Sequence, residues 1–328
     1  MPSTPDSPTY LEALNRALAD EMARDESVVL LGVDIGLGGG VYGVTRGLHE
    51  RFGADRVLDS PIAEAGVLGA AVGAAMAGLR PVVEVMYMDF LTVCLDAVVN
   101  QAAKLRYMTG GGVKVPLVIR TQTGGGRSAG AQHSQSLEGI VAHVPGLHVY
   151  CPADARDAYD LLVAAIRGDN PVCFVENRRL YPRTAADWDR EPLPPGRPRV
   201  VRGGDTLTIV TWGRMVSETL RALEQVSGPA ADAEVIDLRT LVPLDLAPVI
   251  ASVARTGRCL VVHEAVESFG PGAEIVARIV EDALYDLDGP VERLGAMTSP
   301  TPYSPPLEAE MLPTHQRIAA RIEALARA

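Results

Sequence analysis

Short, almost unbroken apolar runs alternate along the chain with longer stretches in which apolar residues return every three or four positions. The runs at 27–33 (SVVLLGV), 80–86 (RPVVEVM), 115–121 (VPLVIRT), 147–152 (LHVYCP) and 171–176 (PVCFVE) predict buried strands. Residues 61–79, 91–107, 136–143 and 153–167 predict the helices between them. Strands that are apolar on both faces and alternate with helices predict a parallel sheet covered on both sides. Residues 181–204 break the pattern with five prolines and no apolar period, which predicts a linker. Beyond it, 206–213, 233–238 and 258–265 predict three further strands, and 270–284 and 315–328 predict helices. The expected fold class is therefore α/β, with two three-layer domains. The first covers residues 1–185, the linker residues 186–203 and the second domain residues 204–328.

One stretch stands out chemically. Between positions 61 and 83 only Glu64 and Arg80 carry charge. Ser60 is the expected N-cap and Pro61 suits the first helical turn. Gly66, Gly69 and Gly73 strip the helix of bulk, so that it can pack with its backbone close to a neighbour. Glu64 then has two readings. It complements the helix dipole, worth about 0.3–1 kcal/mol, or it is a buried carboxylate with a raised pKa. Spacing alone favours the first.

The glycine-rich segment 120–139 (RTQTGGGRSAGAQHSQSLEG) joins a strand to a helix, where open α/β sheets bind ligands. His133 sits in it, as a local cap or a functional loop histidine. A phosphate cradle is a weak rival, because neither phosphate-loop spacing is present. The tip EVMYMDF (84–90) reads as a core cluster before a cofactor platform. His263 and Glu264 end a strand of the second domain, again a ligand-facing position. No grouping has zinc-ligand spacing and no G-x-S-x-G elbow occurs.

Composition narrows the classes. The net charge of −11 argues against nucleic acid or an anionic membrane as partner. The Ala- and Gly-rich stretch 61–83 is too weakly apolar to span a membrane. The start, MPSTPDSPTY, lacks the basic and apolar parts of a signal peptide. Cys94, Cys151, Cys173 and Cys259 lie far apart among apolar neighbours, which predicts buried free thiols in a reducing compartment. A cytoplasmic location is expected.

Six blocks, in order, carry a resemblance: LLGVDIGLGGGVYGVTRGL, DSPIAEAGVLGAAVGAAMAGLRPVVE, NQAAKLRYMTGG, GAQHSQSLEGIVAHVPGL, AAIRGDNPVCFVEN and TPYSPPLEAEMLP. Together they resemble the beta subunit of thiamine-diphosphate-dependent 2-oxo acid dehydrogenases, the group of the pyruvate, branched-chain and acetoin-cleaving enzymes. The resemblance runs from about residue 10 to the end. It implies a pyrimidine-binding, transketolase-like domain followed by a transketolase C-terminal-like domain.

It also implies roles. Glu64 would hydrogen-bond N1′ of the cofactor's aminopyrimidine and favour the imino tautomer that takes the thiazolium C2 proton. Met86 and Phe90 would line the ring. His133 would be the second catalytic residue, linked to stabilising intermediates and to passing the acyl group to a lipoyl arm. Leu117, Ala165, Ile166, Gly168 and Asn170 match a loop that binds potassium in several members, largely through backbone carbonyls.

The G-D-G…N segment that holds Mg²⁺ and the diphosphate is missing from this chain. The resemblance assigns that segment to an alpha subunit, in an α₂β₂ assembly. The implied substrate is a small 2-oxo acid or acetoin, and a lipoyl acyltransferase is a further partner. Val33 stands where the family commonly has glutamate, and Thr298 where it frequently has aspartate. A thiamine-dependent carboligase or split-transketolase half, and a non-catalytic scaffold, therefore stay open as alternatives.

Overall fold

The computed structural model describes residues 7–327. The chain forms two compact units, and they interleave in sequence. The first comprises Met1–Thr123 and Ile140–Pro195; the second comprises Gly124–Gly139 and Gly196–Ala328.

The first unit is built on β1 (Val28–Gly32), β2 (Val57–Asp59), β3 (Arg80–Val85), β4 (Val118–Thr123), β5 (His148–Tyr150) and β6 (Val172–Asn177). They lie in the order β5-β6-β4-β3-β1-β2 and every pairing is parallel. Helices Tyr10–Arg24 and Ala155–Arg167 pack together over one face and bury Tyr10, Leu14, Leu18, Leu161 and Ile166. The second unit carries β7 (Arg199–Arg202), β8 (Leu207–Thr211), β9 (Ala233–Asp237), the short β10 (Thr240–Val242), β11 (Cys259–Val266) and β12 (Val291–Ala296). Its sheet runs β12-β11-β8-β9-β7, with β7 antiparallel to β9.

Several elements depart from expectation for local reasons. Helix Tyr10–Arg24 was not predicted, although Thr9 and Glu12 cap it reciprocally. The single helix expected over 91–107 is a 3₁₀ turn (Met88–Cys94), a π turn (Ala97–Ala102) and an α-helix (Ala103–Met108). Thr92 and Cys94 bond back to the carbonyls of Asp89 and Leu91 and compete with the regular ladder. Ser60 is not an N-cap. Its N–H extends the β1–β2 pairing by donating to Gly32 O at 2.9 Å, so the helix starts only at Glu64, behind Ala63. The buried Ser60 Oγ has no partner. Within the stretch expected as linker, Arg199–Arg202 adds an edge strand to the second sheet. None of the four cysteines is in a disulfide, and all four are buried. Among the described residues no helix is long and apolar enough to cross a membrane.

The centre of the first sheet holds charge. Arg120 on β4 lies between Glu84 on β3 and Glu176 on β6, donating at 2.8 Å to the first and at 2.7 and 3.0 Å to the second. Tyr181 donates to Glu176 at 2.6 Å. All four residues are buried. Burial pushes the Glu84 carboxyl up while Arg120 pulls it down. Burial also works against the Arg120 charge, but Glu176 and Glu84 more than offset it and raise its pKa.

Removing the guanidinium would strand two buried carboxylates. Arg120→Met is expected to lower unfolding stability by about 3–5 kcal/mol in chemical denaturation. A loss below about 1 kcal/mol would show that the carboxylates find other compensation.

Candidate active site

In the first unit, Glu64, Met86 and Phe90 follow the C-terminal ends of β2 and β3, whereas Leu117 and residues 165–170 lie before β4 and β6. Glu64 opens helix Glu64–Met76, with its carboxylate in the first turn and its side chain half-buried. The helix buries Leu68, Ala71, Val72 and Ala75 against its own unit. Its other face is exposed, and a Cβ added at Gly66, Gly69 or Gly73 would meet nothing within 4 Å. The chain's own packing therefore does not require these glycines.

This helix packs against the 3₁₀ turn that carries Phe90. Phe90 and Met86 are half-buried, whereas Met88 between them is fully buried. The tip is thus core on one side and accessible on the other. Cys94, on the same turn, has its thiol pushed up to about 11, by burial and then by the nearby Glu64 charge. Glu64 and the Phe90 turn are therefore electrostatic neighbours. Tyr87 is held by the Arg178 guanidinium, 4.4 Å above its ring, and by a hydrogen bond with Tyr42.

The loop matched to potassium binding is also in this unit. Leu117, Ala165 and Ile166 are buried, and Gly168 and Asn170 are half-buried. The carbonyls of Ile166 and Gly168 converge on a cation, and that cation is Arg80, which donates at 2.9 and 2.7 Å. Leu117 O accepts from Val172 N–H at 2.8 Å, and Asn170 Oδ1 accepts from Arg106 at 2.6 Å. A bare potassium ion fits this set poorly, because Arg80 already supplies the positive charge.

In the second unit, residues 124–137 form the loop that carries His133, ahead of helix Glu138–Ala142. Gly124, Gly126, Ser128 and Gly130 all have positive φ, at 91°, 84°, 55° and 77°. Such alternation turns successive N–H groups inward into an anion-binding concavity. The anion there is a side chain of the same unit. Glu308 accepts from Gly126 N–H at 2.7 Å and from Ser128 N–H at 2.9 Å. Glu264 accepts from Gly125 N–H at 3.0 Å and pairs with Arg214 at 3.4 Å. The loop's phosphate-cradle geometry is thus already filled by carboxylate. His133 is half-buried, and its N–H donates to Gly130 O at 3.4 Å.

His263 is not ligand-facing. It is fully buried and stacks on Trp212 with ring centroids 5.4 Å apart. A Cβ at Gly272 would lie 2.5 Å from its ring. Burial holds its pKa down at about 4. Sequence reasoning also missed Glu138. It is buried, with Trp212 Nε1–H donating to one oxygen at 3.4 Å and the other oxygen without a partner. Burial, helped by the Glu264 charge, pushes its carboxyl up to about 7. Among the described residues no cluster of His, Cys, Asp or Glu is placed to hold a metal ion.

Comparison with known proteins defines the class. Residues 6–184 match the transketolase pyrimidine-binding domain and residues 196–318 match the transketolase C-terminal domain. The fold agrees with a split-gene transketolase described as an inactive beta4 tetramer. That likeness has a TM-score of 0.79 at 21% identity and covers 98% of this chain and 99% of the other. Over 319 residues, 94% of each chain, this protein is 43% identical to the acetoin:2,6-dichlorophenolindophenol oxidoreductase beta subunit of Cupriavidus necator. It is 43% identical to the pyruvate dehydrogenase E1 beta subunit of Rickettsia conorii, covering 94% of this chain and 95% of that one. It is 38% identical to the 2-oxoisovalerate dehydrogenase beta subunit of Bacillus subtilis, covering 97% and 98%. The chain belongs to this family of 2-oxo acid and acetoin dehydrogenase beta subunits.

Glu138 and His263 give opposite pH signatures. The folded Glu138 pKa of about 7 lies above the ordinary 4.5, so its contribution to stability is full below 4.5 and is lost as pH rises through 7. The His263 value of about 4 lies below the ordinary 6.5, so its contribution is full above 6.5 and is lost as pH falls toward 4. Glu138→Gln is therefore expected to melt at the same temperature as wild type near pH 4.5 and several degrees higher at pH 8. Equal melting temperatures at both pH values would refute the burial of an ionisable Glu138.

Proposed function

We propose that this chain is the beta half of a thiamine-diphosphate-dependent 2-oxo acid or acetoin dehydrogenase. It would work with an alpha subunit to cleave the substrate and pass an acyl group to lipoamide. The observation that carries the reading is the half-buried Glu64 at the head of a helix, beside the half-buried Phe90 turn. A carboxylate, an aromatic face and a thioether on adjoining elements match an aminopyrimidine. The ring offers its N1′ nitrogen to the acid and two flat faces to Phe90 and Met86.

When bound, thiamine diphosphate supplies the electron sink for cleavage beside a carbonyl. Glu64 would hold a proton at the cofactor's N1′ and, through the conjugated ring, make the opposite edge a better proton acceptor. Phe90 and Met86 fix the plane of the ring and keep water from its face. His133 donates to, or takes a proton from, the oxygen of the reacting carbon and guides the acyl group outward. Mg²⁺ and the diphosphate would be held by the G-D-G…N segment of the alpha subunit, which this sequence lacks. No potassium ion is needed by this reading, since Arg80 caps the carbonyls of Ile166 and Gly168.

The open face at Gly66, Gly69 and Gly73 supports the partner. Glycines that no neighbour in their own chain requires suit a close backbone approach from another chain. The substrate is a small 2-oxo acid or acetoin, and a lipoyl acyltransferase is the acceptor. A cytoplasmic setting suits four buried cysteines that form no disulfide.

Reconstitution with an alpha subunit, thiamine diphosphate and Mg²⁺ tests the reading. Glu64→Ala is expected to lower kcat by about 10²–10⁴-fold. Phe90→Ala is expected to weaken cofactor binding up to about tenfold in calorimetry, the scale of a lost ring contact. Turnover near wild type in Glu64→Ala would remove the assigned role. Products containing a new C–C bond, without acyl lipoamide, would replace the dehydrogenase by a carboligase.

A further inference from the structure

The block TPYSPPLEAEMLP has no role in the chemistry above, yet its side chains reach back to the loop that carries His133. Glu308 comes from the short helix Pro305–Met311 and is only 3% exposed. Its two oxygens take the N–H groups of Gly126 and Ser128, across 182 and 180 residues of sequence. Tyr303, five residues earlier, lays its ring on Gly130, where an added Cβ would fall 2.2–2.7 Å from three ring carbons. Leu312, four residues later, lies 3.1 Å from the corresponding Cβ position of Gly125. Gly130 in turn accepts the backbone N–H of His133.

One segment of the chain thus grips the loop at Gly125, Gly126, Ser128 and Gly130, the stretch that leads into His133. The grip suits its task. The loop is rich in glycine and adopts left-handed backbone at four positions, so it gains little order from its own side chains. A charged acceptor bonded to two backbone donors is short, directional and strong. It fixes two peptide planes at once, which a hydrophobic contact would not.

We propose that Glu308 and Tyr303 are positioning residues for His133, acting through the 124–130 backbone. This rests on the role given to His133 under the proposed function. Displacing a catalytic group by about 1 Å costs on the order of 10²-fold in rate, and freeing two peptide planes ahead of His133 is enough for that.

The test uses the full chain reconstituted with its alpha subunit. Glu308→Ala, Glu308→Gln, His133→Ala and the Glu308→Ala/His133→Ala double variant are compared with wild type, with Glu310→Gln as the control from the exposed side of the same helix. Assays run well below each melting temperature. Glu308→Ala is expected to lose about 10²-fold in kcat while KM for the 2-oxo acid changes less than about threefold. In the His133→Ala background the same change should cost less than about threefold, because the two act as one unit.

Glu308→Gln keeps the side-chain volume but turns an amide donor toward one of the two N–H groups. It should also speed tryptic cleavage after Arg127, in the gripped loop, by roughly tenfold, a readout that needs no activity. Glu310→Gln should match wild type in both assays. If His133→Ala is slow while Glu308→Ala turns over like wild type, the inference fails and the functional reading stands. A multiplicative loss in the double variant, or unchanged cleavage at Arg127 in Glu308→Gln, also overturns it. If His133→Ala itself retains full turnover, the role of His133 falls and the inference falls with it.

Discussion

A guanidinium buried between two carboxylates sets the geometry on which the first unit depends. β3, β4 and β6 are adjacent, and each contributes one charged side chain to a single ion cluster. Glu84 and Arg120 are also paired in the ladder itself. Without the cluster, a one-residue slip of β4 would displace only neutral buried polar side chains, Thr121 and Gln122. With it, any slip separates buried charges. The chain therefore fixes where β3 ends, and so where Met86 and Phe90 emerge. Specifying position with a buried ion group is costly in desolvation, and that cost is what makes the alternatives so unfavourable.

The same device recurs in both units with its polarity reversed. In the first, Arg80 satisfies the carbonyls of Ile166 and Gly168 after a helix end. In the second, Glu308 and Glu264 satisfy the N–H groups of a glycine-rich loop. In each case a long charged side chain from elsewhere in the unit completes irregular backbone that has no ladder to complete it. Loops that look ready for an external ion, whether a potassium at 165–170 or a phosphate at 124–130, are thus already neutralised from within.

The central strands and the α/β class were legible because period and apolar content are local signals. β1, β3, β4, β5 and β6 all lie within two or three residues of their expected positions. Glu64 and His133 stood out from local pattern, but the roles proposed for them and for Phe90 rest on a resemblance spread over six blocks. What escaped was set by distance or competition. The helix over 91–107 gave way to back-bonding by Thr92 and Cys94. Ser60 was drawn into the β1–β2 pairing and did not cap. His263, read as ligand-facing from its place at a strand end, is enclosed by Trp212 and the backbone of Gly272. The Glu308 contact joins positions about 180 residues apart, and no pattern in a single sequence encodes such a pair.

The bare face of helix Glu64–Met76 carries a warning for engineering. Each of Gly66, Gly69 and Gly73 opens onto empty space in the isolated chain. Alanine there would raise helix propensity by roughly 1 kcal/mol per site with no clash. Directed evolution for heat tolerance, run on this polypeptide alone, would thus be drawn to all three positions. It would harden the fold by thickening a surface that the proposed partner would need thin.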